Sequence, residues 1–254
     1  MMNYYGIWTL FKRETNRFLK VYSQTVLAPV VSNLLFLTVF GLSLNRANPG
    51  FEGVSYLAFL VPGLVMSGIA NNAFQNPSSS LIISKYTGVL PILMTIPLKR
   101  GAVLFAFIVS AVLRGMLVGF VTYLSAVFFV EMNYHSVIMI FVSGFLIALF
   151  FSFFGFIAGV WAKEFDNIAF ITNFILTPMT FLGGVFYPIS SLPETFQLIS
   201  AFNPIVYMVD LMRYGFVGIG GYPLWMSLAV LIAFNLVSGT CAYLIIKSGW
   251  RLQN

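Results

Sequence analysis

Few side chains in this sequence could do chemistry, and they are scattered. Arg114 sits inside a long apolar run, His135 lies four residues after Glu131, and Cys241 is the one cysteine, also in an apolar run. Nucleophilic catalysis needs a nucleophile within hydrogen-bond reach of a base, and no spacing here places one beside His135. A single cysteine builds neither a disulfide framework nor a metal site, so Cys241 reads as a small buried apolar residue and the redox compartment stays open. The sequence has no GxxxxGK followed by Ser or Thr to cradle a nucleotide phosphate. If ATP and its Mg supply energy, they are bound by another chain. No catalytic residue and no metal ligand is assigned. Arg114 remains, because a charge at mid-bilayer costs at least about 2.5 kcal/mol. It must face a bundle interior, where it contacts an anionic substrate head, joins a gating pair or closes an interhelical bond. Snorkelling is difficult, since Arg114 lies 14 residues beyond Arg100, roughly 21 Å of helix.

The elements that position these residues follow from composition. The 254 residues are 59% hydrophobic and only 8% charged, with a mean hydropathy of +0.94. Soluble domains carry about 25% charged residues, so lipid must cover most of this surface and a nucleic-acid partner is excluded. Six segments approach the roughly 20 apolar residues needed to span a bilayer. They are Leu27–Leu44, Tyr56–Asn72 (interrupted at Pro62-Gly63), Val103–Val130, Val137–Trp161, Ile168–Phe186 (broken at Pro178) and Leu224–Ile246.

Charge then orients them. Lys12, Arg13, Arg17, Lys20, Lys85, Lys99, Arg100, Lys163, Lys247 and Arg251 fall on one side, against Arg46 and Arg213 on the other. The positive-inside rule places both termini in the cytoplasm. The first apolar run, Ile7–Phe11, precedes its cations, the reverse of a secretory signal.

Three further pieces are informative. In Asn3–Gln24, Ile7, Trp8, Leu10, Phe11, Phe18, Leu19 and Tyr22 interleave with four cations, which predicts an amphipathic helix on the cytoplasmic face. Gln75–Arg100 is expected to be the longest cytoplasmic loop, with a short helix starting after Pro77 and ending near Gly88. Tyr187–Gly221 is too apolar for a solvated loop, and Pro193 and Pro204 divide it into short helices able to dip into the outer leaflet. Ala111, Gly115 and Gly119, and likewise Gly155 and Gly159, form small-residue rows suited to close helix packing or to lining a path. Asn71, Asn72, Gln75 and Asn76 form either a polar vestibule or an interfacial rim. Lys163, Glu164 and Asp166 form a charged turn. The lack of an internal repeat argues against an inverted-repeat carrier.

Two runs carry a resemblance. One is Phe174-x3-Pro178-x2-Phe181-Leu182-Gly183-Gly184-Val185-Phe186-Tyr187-Pro188, with Leu192-Pro193 after it, then Phe202-Asn203-Pro204-x2-Tyr207-x2-Asp210-x2-Arg213. The other is Gly88–Arg100. In order, spacing and topology the chain resembles the permeases of ABC-2 type exporters, with Gly183-Gly184 where a Ser-Gly pair is more usual. The resemblance implies a homodimer of permeases above a pair of separate ABC ATPase chains. It implies that the amphipathic helix and Ser84, Lys85, Tyr86, Leu93, Thr95, Lys99 and Arg100 meet the ATPase, with Lys163 and Glu164 in a second contact. It implies that Pro188, Pro193, Asn203, Pro204, Asp210 and Arg213 belong to external re-entrant helices capping the exit. Arg114, Asn71, Asn72, Pro178, Gly183 and Gly184 are the candidate path or gating residues.

The expectation is therefore one all-α integral membrane domain over residues 1–254. It comprises an amphipathic helix (1–24), six transmembrane helices (27–246) with external re-entrant helices before the last, and a cytoplasmic tail (247–254). It is a multi-pass plasma membrane protein of a bacterial inner membrane, in contact with lipid. Its expected function is the non-enzymatic permease subunit of an ATP-driven exporter of a lipid, drug-like molecule or glycan. An ATP-independent channel or secondary carrier is the alternative, although it would need paired ionisable groups within the spans. An intramembrane enzyme would need His, Cys, Asp or Glu at matched depth.

Overall fold

The computed structural model describes residues 4–44, 54–95, 98–130 and 134–251, and among these it is all-helical. The chain begins with α1 (Tyr4–Lys20), the amphipathic helix expected from the pattern. Its sidedness is more specific than an apolar stripe on a membrane. Leu10, Glu14 and Phe18, spaced four apart, are buried against the bundle. Tyr5, Trp8, Leu19 and Tyr22 face outward. A π-helical turn (Ser23–Leu27) leads into α2 (Ala28–Leu44).

The largest departure from the sequence reading is α3, one helix of 31 residues from Tyr56 to Tyr86. The expected break after Asn72, the helix start at Pro77 and the loop from Gln75 are not seen; both Pro62 and Pro77 lie inside the helix. Proline removes one helix donor and crowds the preceding turn, but side-chain donors can support the neighbouring carbonyls. Around Pro77, the Ser78 hydroxyl donates to the Phe74 carbonyl (2.8 Å), the Ser79 hydroxyl to Gln75 (2.7 Å) and the Arg17 guanidinium to Asn76 (2.6 Å). Only after Gly88, at a φ of +68°, does the chain turn into the short α4 (Val89–Thr95).

Next come α5 (Arg100–Val127) and α6 (Val137–Trp161). The former starts three residues before its expected boundary, and the latter matches it. The predicted fifth span is α7 (Phe165–Ile171), a π-turn at Thr172–Leu176, and α8 (Thr177–Phe181). The irregularity expected at Pro178 thus precedes it, and the helix ends five residues before Phe186. A 3₁₀ turn (Ile189–Ser191), α9 (Glu194–Ala201) and α10 (Pro204–Val217) follow, starting after Pro193 and at Pro204 as anticipated. The last helix, α11 (Leu224–Ser248), begins after Pro223. Cys241, expected to be buried, is exposed on α11.

Among the described residues four helices, α3, α5, α6 and α11, are long and apolar enough to cross a membrane. The shorter α2 and the α7–α8 segment pack alongside them. The centre of the bundle is α3, buried against α5 and α6 over most of its length. Gly155 and Gly159 of α6 let its backbone touch α3. A Cβ on Gly159 would lie 2.8 Å from the Ser78 Cα. The small-residue row is here a packing seam.

Candidate functional site

Cations collect at one end of the bundle, where several of them cap helices. A helix C-terminus leaves carbonyls without partners and carries negative partial charge. The Lys85 ammonium donates to the carbonyls of Gly159 (3.0 Å), Val160 (2.6 Å) and Ala162 (2.7 Å) at the end of α6. Arg251 reaches the Trp161 carbonyl at 2.9 Å, and Arg100 donates to the Lys247 carbonyl at the end of α11. Ser84 is buried beside Lys85, and Leu93 is buried on α4, whereas Tyr86, Thr95, Lys99 and Arg100 are exposed. Lys163, Glu164 and Asp166 are exposed at the start of α7, where the Asn167 side-chain oxygen accepts from the amides of Lys163 (3.0 Å) and Glu164 (3.2 Å).

The same end carries a polar cluster that sequence reading missed. Glu14 is fully buried. It accepts from the Ser80 hydroxyl (2.5 Å) and pairs with Arg13 (2.6 Å) and Arg17 (3.4 Å). Arg17 also donates to the carbonyl and side-chain oxygens of Asn76 (2.6 and 2.9 Å) and to Ser79 (3.2 Å). Burial lowers the Arg17 pKa, and the adjacent Glu14 charge opposes that shift. The available signal was Glu14 itself, an acid in register with Leu10 and Phe18 on the apolar face.

Deeper in the bundle, the Asn76 amide donates to Ser110 of α5 (3.2 Å). One turn further along α3, Asn72 accepts from the Nε of Arg114 (3.3 Å). Arg114 is buried and faces inward, as its cost in lipid demanded. Asn71 and Asn72 line a cleft of about 440 Å³ between α2, α3 and α8, together with Asn33, Ser67, Thr177 and Thr180. Pro178 lies between those two threonines. Gly183 and Gly184 lie outside this cleft, in the turn after α8.

At the far end, the motif residues act as staples. Asn203 caps α10 by accepting from the Ile205 amide (3.0 Å), and its own amide donates to the Met179 carbonyl of α8 (2.6 Å). Gly183 packs against Ile205, and Gly184 adopts a φ of +74°. That left-handed turn aims the Gly184 carbonyl at the Arg213 guanidinium (2.8 Å), which stacks 3.7 Å above the Phe59 ring. Asp210 accepts from the Gly221 amide and the Ser227 hydroxyl (3.0 Å), tying α10 to α11. Burial raises its pKa, against the pull of those donors and of Arg213. Pro188 and Pro193 flank the 3₁₀ turn; the Pro188 carbonyl accepts from the Ser191 hydroxyl (2.7 Å) and the Pro193 carbonyl from the Phe196 amide (2.9 Å) at the start of α9. Asn203→Ala removes a cap and a tertiary bond, and is expected to cost about 1–2 kcal/mol. Asn203→Asp, which keeps the cap, should fall between it and the parent in melting temperature in detergent.

Residues 5–217 match the model of the ABC-2 type transporter family. The chain is 34% identical to the inner membrane transport permease YadH of Escherichia coli K12 over 256 residues, 100% of both chains. It is 25% identical to nodulation protein J of Bradyrhizobium diazoefficiens over 212 residues, 83% of this chain and 81% of the relative. To nodulation protein J of Rhizobium leguminosarum bv. viciae it is 22% identical over 213 residues, covering 84% and 81%.

Proposed function

The chain belongs to the ABC-2 type transporter family and is a multi-pass membrane transport permease; from that premise we propose that it is the membrane subunit of an ATP-driven exporter. It lies in a bacterial inner membrane with the basic end of the bundle and both termini in the cytoplasm. On this reading α2 and α7–α8 are the first and fifth crossings, and α9–α10 are re-entrant helices at the outer face. Two copies pair above two separate ABC ATPase chains, which bind the ATP and Mg. The chain itself performs no covalent step.

The observation that carries the reading is the polar cleft between α2, α3 and α8. Asparagine, serine and threonine side chains from all three helices line it, and Arg114 stands behind it on Asn72. Such groups are expensive in lipid and mark a path. The cleft is flanked by exposed apolar side chains, Leu35 and Phe36 of α2 and Phe181 of α8, which suit a second copy. A cleft of mixed lining suits an amphiphile, that is, a lipid, a lipid-linked glycan or an apolar drug. ATPase closure would push on α1 and α4. The Glu14–Arg17 cluster would pass that displacement to α3, and so to the cleft wall.

An ABC ATPase should co-purify with the tagged chain, and the complex in lipid should hydrolyse ATP with vanadate sensitivity. Arg114→Met should leave the complex assembled while lowering the transported-substrate stimulation of hydrolysis about tenfold, the loss of one charge-assisted bond. Transport that ignored ATP and followed a proton gradient would instead make the chain a secondary carrier. Among the described ion pairs none lies within the long helices, which favours the exporter over that alternative.

A further inference from the structure

A second groove lies away from the cleft, on the bilayer side of α5 and α6. It has a volume of about 600 Å³ and no polar lining residue. Phe105 and Leu113 of α5 and Phe141 and Phe145 of α6 form its walls, and they are 62%, 44%, 63% and 42% exposed. Along α5 the groove runs from Gly101 to Met116, roughly 22 Å of helix. That is longer than the roughly 15 Å depth of one hydrocarbon leaflet. The groove therefore starts at one membrane surface and runs past the midplane.

Its mouth is basic. Lys99 and Arg100 immediately precede Gly101, and both are exposed. The end of α11 closes on the same place. The Tyr243 ring lies 3.5 Å from where a Gly101 Cβ would be, and Arg100 donates to the Lys247 carbonyl. Lys247 is exposed as well. Among the described residues the ion pairs are those of Glu14 with Arg13 and Arg17, and neither includes Lys99, Arg100 or Lys247.

We propose that this groove is a binding site for one anionic phospholipid of the cytoplasmic leaflet, with an acyl chain along α5 and α6 and its phosphate against Lys99, Arg100 and Lys247. Charge complementarity selects this occupant. An apolar helix of a partner would fill the groove and offer nothing to the exposed Lys99 and Lys247, whereas an anionic lipid satisfies both parts. The site requires the membrane topology above but not the ATPase, so it stands or falls separately from export.

The test is native mass spectrometry of the purified chain in micelles containing equal amounts of dioleoyl phosphatidylglycerol and dioleoyl phosphatidylcholine. One phosphatidylglycerol per chain should be retained in preference to phosphatidylcholine. Lys99→Ala and Lys247→Ala should each weaken that preference about fivefold. Leu113→Trp, which fills the groove, should remove the bound lipid of either kind. Added inorganic phosphate should not displace the lipid, because the chain contributes to binding. Equal retention of the two lipids, a preference unchanged by both lysine variants, or displacement by phosphate would overturn the site. Both lysines are exposed, so their variants keep the test decisive should Leu113→Trp fail to fold.

Discussion

Gly155→Leu is expected to yield no monodisperse protein after detergent extraction. A Cβ at this position overlaps the Phe74 carbonyl oxygen and lies 2.8 Å from its carbon and 2.9 Å from its Cα. These are backbone atoms of α3, so no rotamer change relieves the contact. Overpacking a core commonly costs 1–3 kcal/mol even where side chains can adjust; here α6 must move off the central helix, at about 3 kcal/mol or more. That is a large share of the roughly 5–15 kcal/mol that holds a domain folded. Gly119→Ala is the contrasting case. Its Cβ would meet the Cγ1 and Cδ1 atoms of the Ile69 side chain and no backbone atom, so a small shift of one side chain relieves it at a cost in packing. Size-exclusion profiles and melting temperatures in detergent should show Gly155→Leu lost and Gly119→Ala folded with a reduced melting temperature.

Arg17→Ala is expected to release α1 from the bundle. The substitution leaves the buried Glu14 with Arg13 as its remaining ion-pair partner and removes the donor that Arg17 gives to the Asn76 carbonyl. Breaking a buried pair costs about 3–5 kcal/mol. The lower end applies because Arg13 remains and the Arg17 side chain is 27% exposed. Removing both partners, as in Glu14→Ala with Arg17→Ala, leaves no unpaired buried charge and should be less harmful than Arg17→Ala alone. Limited trypsin digestion reads the release at Lys12 and Lys20, which are exposed but held in helix, since cleavage needs local unfolding that a detached α1 permits. If α1 carries the thrust of the ATPase, the single variant should also uncouple ATP hydrolysis from transport. A double variant more damaged than the single would show that α1 is held by something other than this ion cluster.

Some of this was legible in the residues because it depends on local composition. Runs of apolar side chains cannot be covered by water, so a membrane protein with helices near the observed positions followed from hydropathy alone. The α6 boundaries, the amphipathic α1 and the breaks before α9 and α10 needed nothing beyond periodicity and proline chemistry. The run from Phe174 to Arg213 carried the family, because its spacing specifies the turn and caps that hold α8, α10 and α11 together. Arg114 had to face inward for energetic reasons that hold in any bundle.

What the sequence could not show depends on which neighbour satisfies a group. Pro77 reads as a helix start until Ser78, Ser79 and Arg17 are seen to saturate the carbonyls around it, and one of those donors comes from a different helix. Lys85 reads as a residue of a coupling surface until α6 brings three carbonyls to it, and Glu14 draws no reading until α1 is laid against α3. Hydropathy along the chain thus determined that helices form and cross lipid. Packing between helices far apart in sequence decided where they end, which polar groups are consumed holding the bundle together, and which are left to line a cleft.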